Sequence, residues 1–208
     1  MTITHLSIKE QVRRLRELFP TIARLGPRKV VGKLLRGRHG LCIPRWECIA
    51  PTYSEALRIV LNKLRQQLEA KFGKPYDLKP ESSQLNLGDQ TQRLYQELHE
   101  MQPGADLLLV PAEFDICNPS PQAGDAKKMS EHGVKMGAYA VCVMLLTHVE
   151  LLDEYTDIQV NIEGDEHALD DEDQICKYIS LFVRNVHDPA WYSPNMGYWG
   201  FATALPAA

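Results

Sequence analysis

The alternation of apolar and polar residues singles out one segment, Asp125 to Leu152. Its centre, Ala138 to Leu146, is the longest unbroken apolar run in the chain. The segment extends further than a β-strand normally does, so its length favours a helix. A helix whose residues are apolar on every side is normally buried by other parts of the protein on every side. The pattern therefore predicts a long buried helix at about 125–152, and the apolar run is too short to cross a bilayer.

Apolar residues at helical spacing also mark the N-terminal part of the chain. Ser7 and Glu10 form one S-x-x-E capping box, and Thr52 and Glu55 have the same spacing, as in helices whose first turn is capped by a hydroxyl. A further helix is expected after Gly26-Pro27, because proline is favoured at the first helical position. The N-terminal part is thus predicted to be helical.

The rest of the chain mixes shorter patterns. A helix is expected from Asp89 to Pro103, and strands are expected at 41–49 near a sheet edge, at 106–110 up to Pro111, and at 157–162. Segment 174–183 fits a strand or a helix, and 76–88 is predicted to be a polar connection. This order favours an α+β fold, with a small mixed or antiparallel sheet packed around the long buried helix.

Length and composition are those of an ordinary globular domain. The chain has 208 residues, of which 44% are hydrophobic and 24% are charged. We expect one domain over 1–208, with a possible subdivision into 1–75 and 76–208. Five cysteines, an odd number without a CxxC pair, favour reduced thiols and a cytoplasmic location.

Charge is the least average property of the sequence. Residues 1–75 hold 16 Lys/Arg against 5 Asp/Glu, a balance of +11, whereas residues 76–208 hold 7 against 22, a balance of −15. Such a division indicates either that the two parts attract each other or that one part has a charged partner.

The first functional hypothesis is a non-enzymatic binding protein. A basic N-terminal surface would contact nucleic acid or an acidic protein partner, and no cofactor or catalytic residue is expected. Its candidate binding residues are Arg13, Arg16, Arg24, Arg28, Lys29, Lys33, Arg36 and Arg38.

The second hypothesis is a metal-dependent phosphodiesterase or nuclease. Two carboxylate pairs follow expected strands, and such groups could hold a divalent metal if the fold brought them together. These carboxylates are Glu113, Asp115, Glu163 and Asp165. The motifs of serine hydrolases, zinc proteases and phosphate-binding loops are missing from the sequence.

The third hypothesis is an inhibitor or assembly subunit that acts through its acidic C-terminal part. Segment 163–173 contains the run Asp170-Asp171-Glu172-Asp173, which does not match a calcium-binding loop. The alternative is a solvated hairpin loop. The aromatic residues between 191 and 201 are expected to pack on the core.

Overall fold

The computed structural model of the protein describes ten stretches of the chain. They are residues 6–22, 40–73, 75–79, 85–117, 134–150, 158–161, 165–168, 175–176, 180–185 and 198–204. The helix expected after Gly26-Pro27 lies outside the described residues. The α+β class is confirmed.

The described residues form four α-helices. They are α1 (Ile8–Leu18), α2 (Tyr53–Phe72), α3 (Asp89–Met101) and α4 (Ala138–Thr147). Both predicted N-caps are confirmed, because the Ser7 and Thr52 side chains each accept a hydrogen bond from the backbone N–H three residues later. The reciprocal half of the capping box is not formed, since Glu10 binds Arg13 and Arg14 and Glu55 accepts from the Thr52 hydroxyl. Helix α2 ends at Gly73, whose φ of 66° is left-handed, a conformation that glycine adopts without steric cost.

The central helix is buried as predicted, but it is much shorter than 125–152. Every residue of α4, from Ala138 to Thr147, is buried. Val134–Lys135 pair as a strand with the C-terminal strand of the chain, so the polar half of the predicted helix does not continue it. Residues 125–133 lie outside the described residues. The helix starts at Ala138 because Gly137 before it is in an extended conformation, with φ −82° and ψ 174°.

Strands supply the second layer. They are β1 (Gly40–Pro44), β2 (Tyr76–Lys79), β3 (Leu85–Leu87), β4 (Leu107–Cys117), β5 (Val134–Lys135), β6 (Ile158–Asn161), β7 (Asp165–Ala168), β8 (Ile175–Cys176), β9 (Ser180–Asn185) and β10 (Tyr198–Ala204). Over the described residues, one sheet has the order β1-β4-β10-β6-β9-β2, with β5 also paired to β10, and a second has the order β3-β7-β8. The β10–β6 pair is parallel and the other pairs are antiparallel, so the larger sheet is mixed.

Four strand predictions change in detail. The edge strand stops at Pro44 and a 3-10 turn, Trp46–Cys48, follows it. Strand β4 does not end at Pro111 but continues to Cys117, because β1 pairs with its first half and β10 with its second. The supposed connection 76–88 contains β2 and β3. Of segment 174–183, the described residues 175–176 and 180–183 are in strands, in β8 and β9.

Helix α4 lies at the centre of the core. It contacts α1, α2 and β1, and its apolar side chains belong to one cluster with those of the other helices and of β4. In the described part of the chain, no helix combines the length and apolar character that a membrane crossing requires. Cys42 and Cys142 are buried free thiols, and Cys48 is an exposed one.

Two buried glutamines complete the hydrogen bonding of the β1–β4 pair. Cys42 and Leu109 lie opposite each other. On the β1 side, the Gln11 amide donates to the Gly40 carbonyl at 2.9 Å and accepts from the Cys42 N–H at 2.9 Å. On the β4 side, the Gln102 amide donates to the Leu109 carbonyl at 3.0 Å and accepts from its N–H at 2.9 Å. Both outer edges at this point are therefore satisfied without a further strand.

Replacing Gln102 with alanine should lower the free energy of unfolding by about 2 to 4 kcal/mol, because the buried N–H and carbonyl of Leu109 lose their partners. Denaturant unfolding monitored by circular dichroism measures the change. Gln66→Ala on the exposed side of α2 is the matched control and should stay within about 0.5 kcal/mol of the wild type. Equal effects of the two substitutions would contradict this role of Gln102.

Candidate functional site

The arginines of α1 already have acidic partners within the protein. Arg13 contacts Glu10 at 2.6 Å and Glu17 at 2.5 Å, one on each side along the helix. Hydrogen bonds from Arg13 and Arg14 hold the pKa of Glu10 at about 2, well below its usual value. The positive charge of Arg13 is thus partly neutralised by these two glutamates. Arg16, the other candidate in α1, is exposed.

Arg14 connects the basic N-terminal part to the acidic remainder. It donates to the carboxylate of Glu150 at 2.7 Å and to the backbone carbonyl of Thr147 at 2.8 Å. Thr147 is the last residue of α4, where the helix dipole favours a cation. At the same helix end, the N–H of Leu6 donates to the ring Nε2 of buried His148 at 3.3 Å. At this position, therefore, the basic N-terminal part and the acidic remainder of the chain attract each other.

The other six candidate binding residues lie outside the described residues. They are Arg24, Arg28, Lys29, Lys33, Arg36 and Arg38. The acidic run 170–173 also lies outside them. The hypotheses built on these two segments stay predictions.

The opposite end of α4 holds a buried carboxylate, Asp165, the first residue of β7. One of its oxygens accepts the Tyr53 hydroxyl at 2.7 Å and the other accepts the Ala138 N–H at 2.8 Å. Asp165 is only 1% exposed, so the expected solvated loop is wrong at this position. We call these two hydrogen bonds the Asp165 contact. It joins β7 to the first turns of α2 and α4.

The Asp165 contact is needed because α4 begins at a residue without a capping side chain. Its N-cap is Gly137, and the first N–H groups of a helix have no partner within the helix. The Ala138 N–H donates to Asp165, whose carboxyl group also accepts the Tyr53 hydroxyl. One N–H group at a buried helix start is thereby satisfied by a side chain distant in sequence.

Glycine is required at position 137 by close approach rather than by backbone conformation. Gly137 has an ordinary φ of −82° and ψ of 174°. A Cβ atom placed there would collide with the carboxyl group of Asp165. The carboxylate therefore fits against the bare backbone in front of α4.

Burial dominates the electrostatics around Asp165. It raises the pKa of the carboxyl to about 7, although the hydrogen bonds from Tyr53 and Ala138 act in the opposite direction. Burial, together with the charge of Asp165, also raises the pKa values of Tyr53, Tyr95 and Cys142. These neighbours are neutral near pH 7, so the Ala138 N–H at the helix start and the Tyr53 hydroxyl stabilise the ionised carboxylate.

The metal hypothesis gains no support from Asp165. Both of its oxygens are engaged in the Asp165 contact, and the described residues contain no group of three or more potential metal ligands. Glu113 and Asp115 lie within β4 opposite β10, in a different sheet from Asp165. Their side chains and Glu163 fall outside what the structure describes, so a metal site made by these three remains only a prediction.

A second polar cluster lies between the 3-10 turn and α3. His99 Nδ1 is 3.9 Å from Glu47, and burial and the Arg45 charge lower the pKa of His99. Cys48 is exposed, but partial burial and Asp106 raise the pKa of its thiol. A nucleophilic cysteine needs a lowered pKa, so this cluster does not have the electrostatics of a thiol enzyme.

Sequence reasoning missed Tyr53 and Arg14, and it placed Asp165 in a solvated loop. One signal for the Asp165 contact was present, since a glycine stands directly before an apolar run that has no capping residue. Such a helix start needs a partner from elsewhere in the chain. The sequence does not say which of the acidic residues provides it.

Gly137→Ala should lower the free energy of unfolding by about 1 to 3 kcal/mol, because the new methyl group must displace the Asp165 carboxyl group. In an Asp165→Ala background the same substitution should cost much less, since the obstacle is removed. Denaturant unfolding of the four proteins gives the comparison. An equal cost in both backgrounds would show that the collision is not the cause.

Comparison of the chain with protein-family models, with curated proteins and with solved structures finds no match.

Proposed function

We propose that the protein is a non-enzymatic binding protein that contacts nucleic-acid phosphates through the basic segment 24–38. The observation that carries the proposal is how positive charge is distributed within the N-terminal part. Segment 24–38 contains six Lys/Arg and no Asp/Glu. Basic runs of this kind are typical of segments that contact polyanions.

The helices on either side of this segment carry far less unbalanced charge. Residues 6–22 hold four Lys/Arg against two Asp/Glu, and residues 40–73 hold five against three. In α1, moreover, Arg13 and Arg14 contact Glu10, Glu17 and Glu150. These contacts shift the proposed binding surface away from α1 and toward 24–38, so Arg13 is the weakest of the eight candidates.

The composition of the segment suits phosphate contacts. Four of its six cations are arginines, at positions 24, 28, 36 and 38. The arginine guanidinium presents a planar set of donors that pairs with phosphate oxygens as well as with carboxylates, whereas lysine provides a point charge. The acidic remainder of the chain would repel a polyanion, so binding would be confined to this segment.

We also propose that the protein resides in a reducing compartment such as the cytoplasm. Cys42 and Cys142 are buried as free thiols, and burial raises the pKa of both. Neither thiol is suited to exchange, because exchange requires a thiolate.

Binding of a fluorescein-labelled 20-base-pair DNA, followed by anisotropy, should weaken steeply as salt concentration rises. If the six cations each neutralise one phosphate, the logarithm of the association constant should fall against the logarithm of salt with a slope of about −5. A single-stranded RNA of the same length tests the other nucleic-acid form. Failure to bind either probe at low salt would contradict the proposal. This holds even if the protein bound an acidic peptide, because the proposed partner is nucleic acid.

A matched pair of triple variants tests the location of the surface. Arg24→Gln, Arg28→Gln and Lys29→Gln together should reduce the magnitude of the salt slope by about 3 and weaken binding at low salt. The control is Lys9→Gln, Arg58→Gln and Arg65→Gln, which removes the same charges from α1 and α2. The control should leave the slope nearly unchanged. Equal losses in both variants would mean that net charge, not segment 24–38, determines binding.

A further inference from the structure

We infer that one face of the larger sheet is a binding site for a neutral oligosaccharide. This inference is independent of the proposed contact between segment 24–38 and nucleic acid. It rests on the backbone register of the strands β4, β10, β6, β9 and β2, which places aromatic and polar residues side by side.

Pairing in the larger sheet separates its residues into two faces, because paired residues share a face and neighbours along a strand alternate. One face carries Phe114 and Ile116 of β4, Val160 of β6 and Val183 of β9. Ala112 of β4 belongs to the same face, and it is completely buried in the hydrophobic core. A sheet with one apolar and one polar face normally packs its apolar face on the core.

The opposite face combines aromatic and polar residues in two rows that cross the sheet. In the strand order β4, β10, β6, β9 and β2, the first row is Cys117, Trp199, Gln159, Phe182 and Lys79. In the order β4, β10, β6 and β9, the second row is Asp115, Phe201, Asn161 and Ser180. We call the residues of both rows the polar face. Trp199 and Phe201, which the sequence predicts to pack on the core, thus lie on the face opposite Ala112.

The two rows place aromatic residues beside amides at short intervals. Trp199 and Phe182 are two strands apart, about 10 Å between Cα atoms, and Gln159 lies between them. Trp199 and Phe201 are two residues apart on β10, about 7 Å, and Asn161 lies opposite Phe201. Aromatic rings pack on the C–H face of a sugar, whereas amides and carboxylates form hydrogen bonds with its hydroxyl groups. The polar face therefore brings together both kinds of residue that oligosaccharide binding needs.

Charge favours a neutral ligand on this face over a polyanion. The two rows contain one acid, Asp115, and one base, Lys79. The next position of the same face is balanced as well, since Glu113 and Lys135 pair with the same residue of β10. Residues 76–208 have a charge balance of −15, which repels phosphates. A nucleic acid is therefore expected at the basic segment of the N-terminal part and not at the polar face.

The first measurement is a titration of the wild-type protein, labelled with 5-fluorotryptophan, with cellohexaose, maltohexaose, xylohexaose and chitohexaose, followed by 19F NMR. The chain has three tryptophans, Trp46, Trp191 and Trp199. Their signals are assigned with single Trp→Phe variants, and two assignments identify the third. At least one sugar should shift the Trp199 signal saturably, with a dissociation constant of about 1 mM or tighter, and should leave the Trp46 signal in place. No saturable shift of Trp199 with any of the sugars would overturn the proposal.

The second measurement compares variants in their affinity for the sugar that binds. Phe182→Ala should weaken binding by about fivefold or more, and Gln159→Ala by about threefold or more, because they remove a packing surface and a hydrogen-bonding group. Gln66→Ala on the exposed side of α2 is the matched control for Gln159→Ala and should leave the affinity unchanged. Equal affinities of Gln159→Ala and Gln66→Ala would overturn the proposal, even if Phe182→Ala failed to fold.

The third measurement separates a neutral ligand from nucleic acid. Sugar affinity should change by less than about twofold between about 50 and about 500 mM NaCl, because no counterions are released from an uncharged ligand. A single-stranded RNA, titrated into the same labelled protein, should leave the Trp199 signal in place. A shift of this signal by the RNA and by none of the sugars would overturn the proposal and make the polar face a nucleic-acid surface.

Discussion

The structure depends on satisfying the start of a helix that has no access to water. Every residue of α4 is buried, and the residue before it is a glycine that offers no capping oxygen. Its first N–H groups therefore need partners from other elements, because an unpaired buried donor costs about 1 to 3 kcal/mol. Asp165 accepts the Ala138 N–H and also the Tyr53 hydroxyl, and in doing so it fixes β7 and α2 relative to α4.

The same requirement explains the two glutamines beside the β1–β4 pair. Gln11 and Gln102 use both ends of their amides on backbone groups that lack a neighbouring strand. At the other end of α4, Arg14 satisfies the Thr147 carbonyl and pairs with Glu150. Polar residues in the described core thus complete the backbone hydrogen bonding of apolar elements. Segment 24–38 lies outside the described residues, and its proposed assignment to a partner rests on its charge in the sequence.

The helices could be predicted from the sequence because their signals are local. Ser7 and Thr52 cap α1 and α2 within four residues, and Gly73 ends α2. The extent of α4 could not be predicted in this way, since the polar residues before it suit an exposed helix start. Strands β2 and β3 were missed because three- and four-residue strands are defined by partners, here β9 and β7, that lie far along the chain.

The Asp165 contact shows where sequence reasoning reaches its limit. An aspartate in an acidic segment resembles a solvated residue, and only the tertiary fold brings it against Gly137. The missing cap at Gly137 indicated that α4 needs an acceptor, but composition alone could not choose among the many carboxylates. Arg13 is a different case, since its basic neighbourhood suggested a binding surface although its two partners, Glu10 and Glu17, lie one turn away in the same helix.

The central claim is that the side chains of Asp165 and Tyr53 act together to support the start of α4. A double-mutant cycle with Tyr53→Phe and Asp165→Ala, measured by denaturant unfolding at constant pH, tests it most directly. We predict that the two substitutions are non-additive by about 1 kcal/mol or more, because either one removes their shared hydrogen bond. Additivity within about 0.3 kcal/mol would contradict the account.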